Sequence, residues 1–438
     1  YSCWFENLML FLFFKSKSDM IEKIGKYNFW NDNIPELGYV RAEYTNKIYA
    51  STGNNLVKVL VGQRRAGKSF VLRQLAKQLL DSGVPAQNIL YINTEYLEFC
   101  GLNTVDDLQS LYQEYREKLQ PQGKIYLFLD EIQQIKDWEL FVNSHSQDFV
   151  EPKEIFISGS NSDLLSGELA TLLSGRYVEF EILPFSFHEY ADMQHLEVNR
   201  ENYIHFLQIG MLPELFHLQT DEVKINYVSA IKDTVMLRDI VHRYKVKDSL
   251  LLDDLFRYIV NNAGRLFSIS NIVNYFKSLG RKTNYETLSS YISYLCKAFL
   301  IHRAERYNIA GKEIISGNCK YYSNDLSYYN YLYRGFSYGF GSLLENAVYL
   351  ELRRQAWQVY VGVQAHSEVD FVAIRGDQKL YVQVCWQMAG DENTAQREYA
   401  PLLNIKDQYR KVIVSLDEIR FPNNNGVEHL FPWELTLK

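Results

Sequence analysis

The feature that most constrains this chain is the segment from Gly62 to Ser69, GQRRAGKS, which matches G-x-x-x-x-G-K-[ST] in full. The apolar run VKVLV precedes it and the amphipathic run FVLRQLAKQLL follows, so the segment is predicted to join a buried strand to a helix. Glycines let successive backbone N–H groups face a phosphate, and a helix N-terminus adds partial positive charge. A chance glycine turn is the alternative. The pattern predicts a phosphate-binding loop of Gly62, Gln63, Arg64, Arg65, Ala66, Gly67, Lys68, Ser69 and Phe70.

Two of these residues and two later acids predict the chemistry at the phosphate. Lys68 is expected to reach the β- and γ-phosphates and to act in catalysis, and the Ser69 hydroxyl to ligate Mg²⁺. About sixty residues later, IYLFLDEI ends a buried strand in Asp130 and Glu131, as a Walker B strand does. Asp130 is predicted to hold the metal through water, and Glu131 to polarise the attacking water. The predicted ligand is ATP with Mg²⁺, and the predicted reaction is hydrolysis. A solvated Asp-Glu pair at a strand end is the alternative.

Further polar residues follow the next strands. ISGSNSD places Ser158, Ser160 and Asn161 at a strand tip, and we expect Ser160 and Asn161 to contact water or the γ-phosphate. A plain helix N-cap explains Ser160 or Asn161 equally well. LLSGRYVEF places Arg176 before the last core strand. It is predicted to act on the γ-phosphate in cis or from a neighbouring subunit, with a structural role as the alternative.

The alternation of short apolar runs with amphipathic stretches predicts an α/β fold with a parallel sheet and crossover helices. After Pro184 the pattern turns helical, and three short helices followed by a hairpin give the outline of a winged helix. A helix and short strands close the chain. The predicted domains are an N-terminal extension (1–26), a P-loop core (27–183), a helical subdomain (184–248), a winged-helix-like domain (249–335) and a C-terminal domain (336–438).

Composition limits the class of protein and its partners. A hydrophobic share of 47% and a charged share of 23% are typical of a globular chain. The net charge of −7 gives no global basic field, so a nucleic-acid contact would need a local patch. Five scattered cysteines without a Cys-x-x-Cys pair favour a reducing cytoplasm.

The first residues, YSCWFENLMLFLFF, are apolar but too few to span a bilayer, so no membrane partner is expected. Because Met20 opens a polar, amphipathic stretch, we interpret residues 1–19 as an upstream extension or a cloning artefact. A weak signal peptide is the alternative.

The blocks VLVGQRRAGKSF, FLDEIQQI, FISGSNSDLLSGE, LLSGRYVEFEILPFSFHEY and TVMLRDIV together resemble a family of prokaryotic AAA+-superfamily ATPases. The likeness runs from Met20 over nearly the whole chain. It implies an AAA+-type sheet and ATP with Mg²⁺ at the loop and acids named above. It also implies a helical and winged-helix region and a C-terminal domain of unknown function.

The C-terminal domain of that family looks like a restriction-endonuclease-type fold. Glu345, Asp370, Gln383 and Cys385 stand where the nuclease pattern carries Glu, Asp, Glu or Gln, and Lys. Because a thiol offers no fixed positive charge, we expect a retained fold without nuclease activity. Plain alternating strands of a small sheet are the alternative.

Three functions are consistent with the sequence. The favoured one is an ATP-driven switch that acts on a protein or DNA partner, with homo-oligomerisation as a further expectation. The second is an ATP-regulated nucleic-acid-processing defence enzyme. The third is a DNA-binding module without catalysis, although the predicted reading helix, residues 285–297, holds a single basic residue.

Overall fold

The computed structural model describes residues 20–165, 172–173, 175–333, 339–364, 367–390 and 392–435. These residues form two compact units. The first comprises the chain up to Gly62 together with Gly67–Ile182. The second comprises Gln63–Ala66 and the chain from Leu183 onward. No helix within the described ranges combines the length and the apolar character needed to cross a membrane.

The first unit is built on a parallel sheet with the strand order β2-β3-β4-β1-β5. Strands β1, β2 and β4 are buried along their whole length, as expected of a sheet covered on both faces. The predicted α/β fold with a parallel P-loop sheet is therefore confirmed. The strands are β1 (Val57–Val61), β2 (Ile89–Asn93), β3 (Ile125–Asp130), β4 (Lys153–Gly159) and β5 (Tyr177–Glu181).

Helices cover both sides of this sheet. The amphipathic run after the phosphate loop forms α3, whose apolar residues pack on β3 and β4. Helix α4 starts at a capping box, because the Thr104 and Asp107 side chains satisfy each other's backbone N–H groups. The helices are α1 (Met20–Ile24), α2 (Ala42–Tyr49), α3 (Lys68–Asp81), α4 (Val105–Leu119) and α5 (Trp138–Ser146).

Residues 20–26, which lie in the predicted N-terminal extension, pack onto the first unit, and the boundary of the extension stays a prediction. Helix α1 buries Ile21 and Ile24, and the Ile21 backbone N–H lies 3.5 Å from the Glu114 carboxylate on α4. Lys26 pairs with Glu98. An amphipathic helix that buries two isoleucines belongs to the core of the unit. The predictions for residues 1–19 fall outside the described residues.

The second unit begins with helices that pack around a large apolar core. The helix that starts at Asp221 continues without a break as a π-helix, Val235–His242. Helices of this unit are α6 (Phe187–Met193), α7 (Arg200–Ile209), α8 (Asp221–Thr234), α9 (Ser249–Asn261), α10 (Ile269–Ser278), α11 (Tyr285–Lys297), α12 (Phe340–Arg354) and α13 (Glu392–Leu403).

A mixed sheet with the strand order β12-β11-β10-β9-β8-β6-β7 completes the second unit. The β6–β7 hairpin follows α11, as predicted, and β6 pairs in parallel with β8. Segments on both sides of the predicted boundary at residue 335 therefore share one sheet. The domain boundaries themselves stay a prediction. The strands are β6 (Ile301–Asn308), β7 (Glu313–Ser323), β8 (Gln358–Gln364), β9 (Ser367–Arg375), β10 (Gln378–Cys385), β11 (Arg410–Ser415) and β12 (Val427–Leu430).

Candidate functional site

Two glycines shape the phosphate loop at its ends. Gly62 follows β1 with φ +143°, and a Cβ atom there would lie 2.3 Å from the Ile182 carbonyl oxygen. Gly67 takes φ +99° as the residue that precedes α3. Both positions require glycine, the first for space and the second for its backbone conformation. Helix α3 therefore begins at Lys68 with its N-terminus at the end of the loop.

The structure brings the predicted catalytic lysine and glutamate together. The Lys68 ammonium donates to the Gly62 carbonyl oxygen at 3.0 Å and lies 3.6 Å from the Glu131 carboxylate. Glu131 follows β3 in the left-handed conformation, with φ +53°. A non-glycine residue there carries a strain that the surrounding contacts must offset, and functional sites often hold such residues. The Glu131 N–H donates to the Ser158 hydroxyl at 3.1 Å, which helps to hold this turn.

Asp130, the other predicted acid, is fully buried at the end of β3. Burial, and then the charge of Glu131, raise the pKa of Asp130 above its ordinary value. Hydrogen bonds from hydroxyl groups, including that of Ser69, lower the same pKa. The carboxylate therefore lies within hydrogen-bonding reach of the Ser69 hydroxyl, and the metal-binding role of the two groups stays a prediction.

Three partners of Asp130 were not among the predicted site residues. The Tyr91 hydroxyl donates to it at 2.6 Å, the Asn93 amide donates at 2.7 Å, and the Ser158 hydroxyl donates as well. Asn93 pairs with Asp130 across the sheet, since β2 and β3 end at the same edge. The polar residues that end ILYIN and FISGS could have indicated these contacts. They reach Asp130 only because β2 and β4 are the neighbours of β3, and the sequence does not reveal that strand order.

The contacts that the structure gives Ser160, Asn161 and Phe70 do not test their predicted roles at the nucleotide. Ser160 and Asn161 are both buried, and within the described part of the chain the Ser160 hydroxyl has no hydrogen-bond partner. Ser158 is the serine of this strand that reaches Asp130. Phe70 packs closely on Gly38, with the Arg73 guanidinium 4.4 Å from the centre of its ring. The nucleotide contacts of Ser160, Asn161 and Phe70 stay predictions.

Arg176 cannot act on the γ-phosphate in cis. It precedes β5, and Tyr177 pairs with Val57 at the start of β1, whereas the phosphate loop follows the end of β1. Strands of this length place Arg176 roughly 15 Å from the loop, at the opposite edge of the sheet. Its guanidinium donates to the Leu173 carbonyl at 3.0 Å and to the Asn143 side chain at 3.2 Å. A role in a neighbouring subunit stays a prediction.

The middle of the phosphate loop, Gln63–Ala66, belongs to the second unit. Within that unit, the Arg64 guanidinium forms a two-pronged ion pair with Asp239, at 2.7 and 3.1 Å. The Gln63 amide donates to the Tyr328 hydroxyl at 2.6 Å and accepts from the Asn324 amide at 2.9 Å. Arg65 is exposed in the left-handed conformation and Ala66 is buried.

Comparison with known proteins places the chain in a family. A family model described as an AAA domain matches residues 54–191, which include the phosphate loop and both acids. A protein of Haemophilus influenzae, described as uncharacterised, is 34% identical over 395 residues that cover 89% of this chain and 96% of the relative. This chain belongs to the AAA-type P-loop ATPases. A second model, described as a domain of unknown function (DUF8612), matches residues 200–338 of this ATPase.

Other matches are more distant. An uncharacterised protein of Methanocaldococcus jannaschii is 29% identical over 359 residues, covering 78% of this ATPase and 77% of the relative. Among solved structures, a Walker-type ATPase of Pyrococcus abyssi matches with a TM-score of 0.40 and 18% identity over 66% of this chain and 94% of that chain. The RuvB Holliday junction branch migration motor of Thermotoga maritima matches with a TM-score of 0.32 and 18% identity, over 61% and 90%.

The residues around Asp130 fit a magnesium ion. The groups that donate to the carboxylate are neutral hydroxyls and an amide, so they satisfy its oxygens without balancing its charge. A divalent cation held by Asp130 and the Ser69 hydroxyl would balance it, and oxygen ligands are those that Mg²⁺ prefers. When bound, the metal supplies charge neutralisation for the phosphates.

In the second unit, a lysine that the sequence analysis did not single out lies beside two of the predicted nuclease-like acids, Glu345 and Asp370. The Lys320 ammonium on β7 lies 2.9 Å from Glu345, 2.8 Å from Glu368 and 3.6 Å from Asp370, a group we term the Lys320 cluster. The Tyr322 hydroxyl also donates to Glu345, at 2.7 Å. Among the residues that the structure describes, no group of three or more Asp, Glu, His or Cys side chains is arranged to hold a metal ion.

In the part of the second unit that the structure describes, the other two residues of the predicted nuclease-like pattern, Gln383 and Cys385, form no ion pair with Lys320. The Gln383 side chain accepts from the Asp370 N–H at 3.3 Å and donates to Glu398 at 2.9 Å. Burial raises the pKa of the Cys385 thiol to about 11, so the thiol stays neutral. The expectation of inactivity rested on the missing lysine at Cys385. Because Lys320 supplies an ammonium to the same carboxylates, that reason no longer holds. Nuclease-like fold and inactivity both stay predictions.

Proposed function

We propose that this AAA-type ATPase binds ATP with Mg²⁺ at the loop from Gly62 to Ser69 and hydrolyses it. The observation that carries the proposal is the convergence of Lys68, Asp130 and Glu131 at the end of β1 and β3. In this arrangement Lys68 binds the phosphates, and Asp130 with the Ser69 hydroxyl holds the metal. Glu131 orients the attacking water and accepts its proton at the carboxylate.

Nucleotide binding is tested with a pair of lysine variants on α3. Lys68→Ala should weaken Mg²⁺-dependent binding of a fluorescent ATP analogue at least ~10-fold, because a charge-assisted contact to phosphate is lost. Lys77→Ala is the matched control, since Lys77 lies on the same helix and pairs with Asp81 at the surface. Equal affinity of the two variants for nucleotide would refute the site.

We further propose that nucleotide occupancy works as a molecular switch. Support comes from Gln63 and Arg64, which lie in the loop that would surround the phosphates and bond to Tyr328 and Asp239 of their own unit. A phosphate that repositions the loop would change these bonds. The switch would act on a protein or DNA partner in the cytoplasm, in an assembly of several copies.

The switch is tested by sizing the purified protein with and without Mg²⁺ and a non-hydrolysable ATP analogue. We expect the elution position or the set of co-purifying molecules to depend on nucleotide in the wild type and not in Lys68→Ala. Profiles that are identical with and without nucleotide would contradict the switch while leaving hydrolysis untouched.

A further inference from the structure

Positive charge is concentrated in one stretch of the second unit. Residues 243–312 contain twelve Lys and Arg but five Asp and Glu, an excess of seven positive charges in a chain whose net charge is −7. The stretch begins after the π-helix and ends in the turn of the β6–β7 hairpin. A local excess of this size is the electrostatic pattern expected of a polyanion-binding surface on an acidic protein.

The acids of this stretch are largely engaged. Asp248 caps α9 through the Leu251 N–H, and Glu305 pairs with Arg303. Asp253 and Asp254 pair with Lys232 and Arg281 respectively. In contrast, several exposed cations form no ion pair with any described residue: Arg243, Lys245, Lys247, Lys277, Lys282 and Lys312. Pairing does not change the net excess of seven positive charges, and these exposed cations are the ones that an anionic partner would contact.

The fold places these cations beside one helix. The apolar side of helix α11, which includes Leu288 and Leu295, is buried. In the middle of the helix, Ser290 and Ser293 are exposed. The basic segment before α9 packs against this helix, because the rings of Tyr244 and Tyr294 stack at 3.9 Å with an angle of 3°. At the other end, Lys282 lies in the turn that leads into α11.

The surrounding elements hold α11 in a defined position. Helices α9, α10 and α11 precede the β6–β7 hairpin, and an isolated antiparallel bridge joins Phe267, between α9 and α10, to Cys319 on β7. Helix α11 follows α10 after a short turn, and in a helix-turn-helix the second of two such helices enters the DNA major groove. The exposed residues of α11 are Tyr285 and Glu286 in its first turn and the small Ser290 and Ser293 further along, and this second part suits a groove about 12 Å wide.

We propose that α11 and the flanking cations Arg243, Lys245, Lys247 and Lys282 form an interface for double-stranded DNA. Phosphates on either side of the groove would contact the cations, and Ser290 with Ser293 would face the base edges. Most of the affinity would come from phosphates, so the sequence preference would be modest. The inference rests on the proposed switch, for which it names the partner class.

The test measures fluorescence anisotropy of a duplex of about 20 base pairs with the full chain, from about 50 to 200 mM KCl. Contact with roughly four phosphates predicts a slope of log K against log salt of about −4. Lys247→Glu/Lys282→Glu should weaken binding at least ~10-fold and reduce the slope by about 2. Lys47→Glu/Lys406→Glu has the same charge change on exposed lysines elsewhere and should bind within about threefold of wild type.

A second variant tests the helix rather than the charge. Ser293→Trp adds bulk to the exposed face of α11 without changing charge, and it should also weaken duplex binding. Three outcomes would each overturn the interface. They are no binding of duplex by the wild type at about 50 mM KCl, an equal loss of affinity in the two double variants, and tighter binding of polyglutamate than of duplex. Lys68→Ala should keep duplex binding in the absence of nucleotide, so failure of the ATP site and failure of this interface are distinguishable.

Discussion

Replacing Lys320 by Met should destabilise the second unit by about 3 to 5 kcal/mol at pH 8. The Lys320 side chain is 4% exposed and its ammonium contacts Glu345, Glu368 and Asp370. Removing one partner of a buried ion pair leaves uncompensated charge, and the stated range is the usual cost. A loss of 3 kcal/mol corresponds to a roughly 150-fold increase in the equilibrium constant for opening.

The stability lost in Lys320→Met should be smaller at low pH than at high pH. Burial, then the charge of Glu345, raise the pKa of Asp370 to about 7 from an ordinary value near 3.8, while Lys320 lowers it. Without Lys320 this pKa rises further. A carboxyl whose pKa is raised by folding stabilises the fold fully below its unfolded pKa, and this contribution is lost as pH rises through the folded value. The variant should therefore lose less stability at pH 5 than at pH 8.

Hydrogen exchange followed by mass spectrometry measures this effect locally, so it does not require two-state unfolding of a chain with two units. Peptides that cover β7 and β9 should exchange faster in Lys320→Met after correction for intrinsic rates. Lys379→Met, on β10 of the same sheet, is the control, and Lys320→Met/Asp370→Asn should recover part of the loss. A deficit under about 1 kcal/mol, or an equal deficit at both pH values, would refute the role assigned to Lys320.

Three further predictions concern the loop, the metal site and the second unit. Gly62→Ala should abolish nucleotide binding because its Cβ would clash with main chain. Gly101→Ala, whose Cβ would meet nothing within 4 Å, should keep nucleotide binding, and binding by both variants would contradict the role of Gly62. Ser158→Ala should raise the Mg²⁺ concentration for half-maximal ATPase activity at least ~3-fold through the lost bond to Asp130, and an unchanged Mg²⁺ titration would exclude that role. Because no described group of acids in the second unit is arranged to hold a metal ion, a nicked-plasmid assay with Mg²⁺ or Mn²⁺ should show no cleavage; nicking that disappears in Asp370→Ala would overturn the inactivity.

The sequence was sufficient to predict the parts of the site whose residues are neighbours in the chain. The phosphate loop, Lys68 and Ser69 are contiguous, and Asp130 with Glu131 ends an apolar strand at a fixed edge of a parallel sheet. The position of Arg176 before the last core strand was predictable, but its distance from the loop was not, because that distance depends on which end of β5 lies beside the end of β1.

Contacts between distant segments were not predictable. Tyr91 and Asn93 reach Asp130 because β2 neighbours β3, and strand order is not encoded in the pattern of either strand. Lys320 reaches Glu345 because the β6–β7 hairpin joins the C-terminal sheet, and a sequence comparison with a nuclease pattern looks for the lysine at Cys385 instead. Such long-range pairings follow from tertiary packing rather than from local propensity.

The most direct measurement of the central claim is a single-turnover assay in Glu131→Gln, in which radiolabelled ATP bound to excess protein is followed to phosphate release. We predict that the variant retains ATP with Mg²⁺ yet releases phosphate at least ~100-fold more slowly than wild type. Asp137→Asn, which removes an exposed charge a few residues away, should release phosphate at the wild-type rate. Wild-type phosphate release from Glu131→Gln would contradict the account.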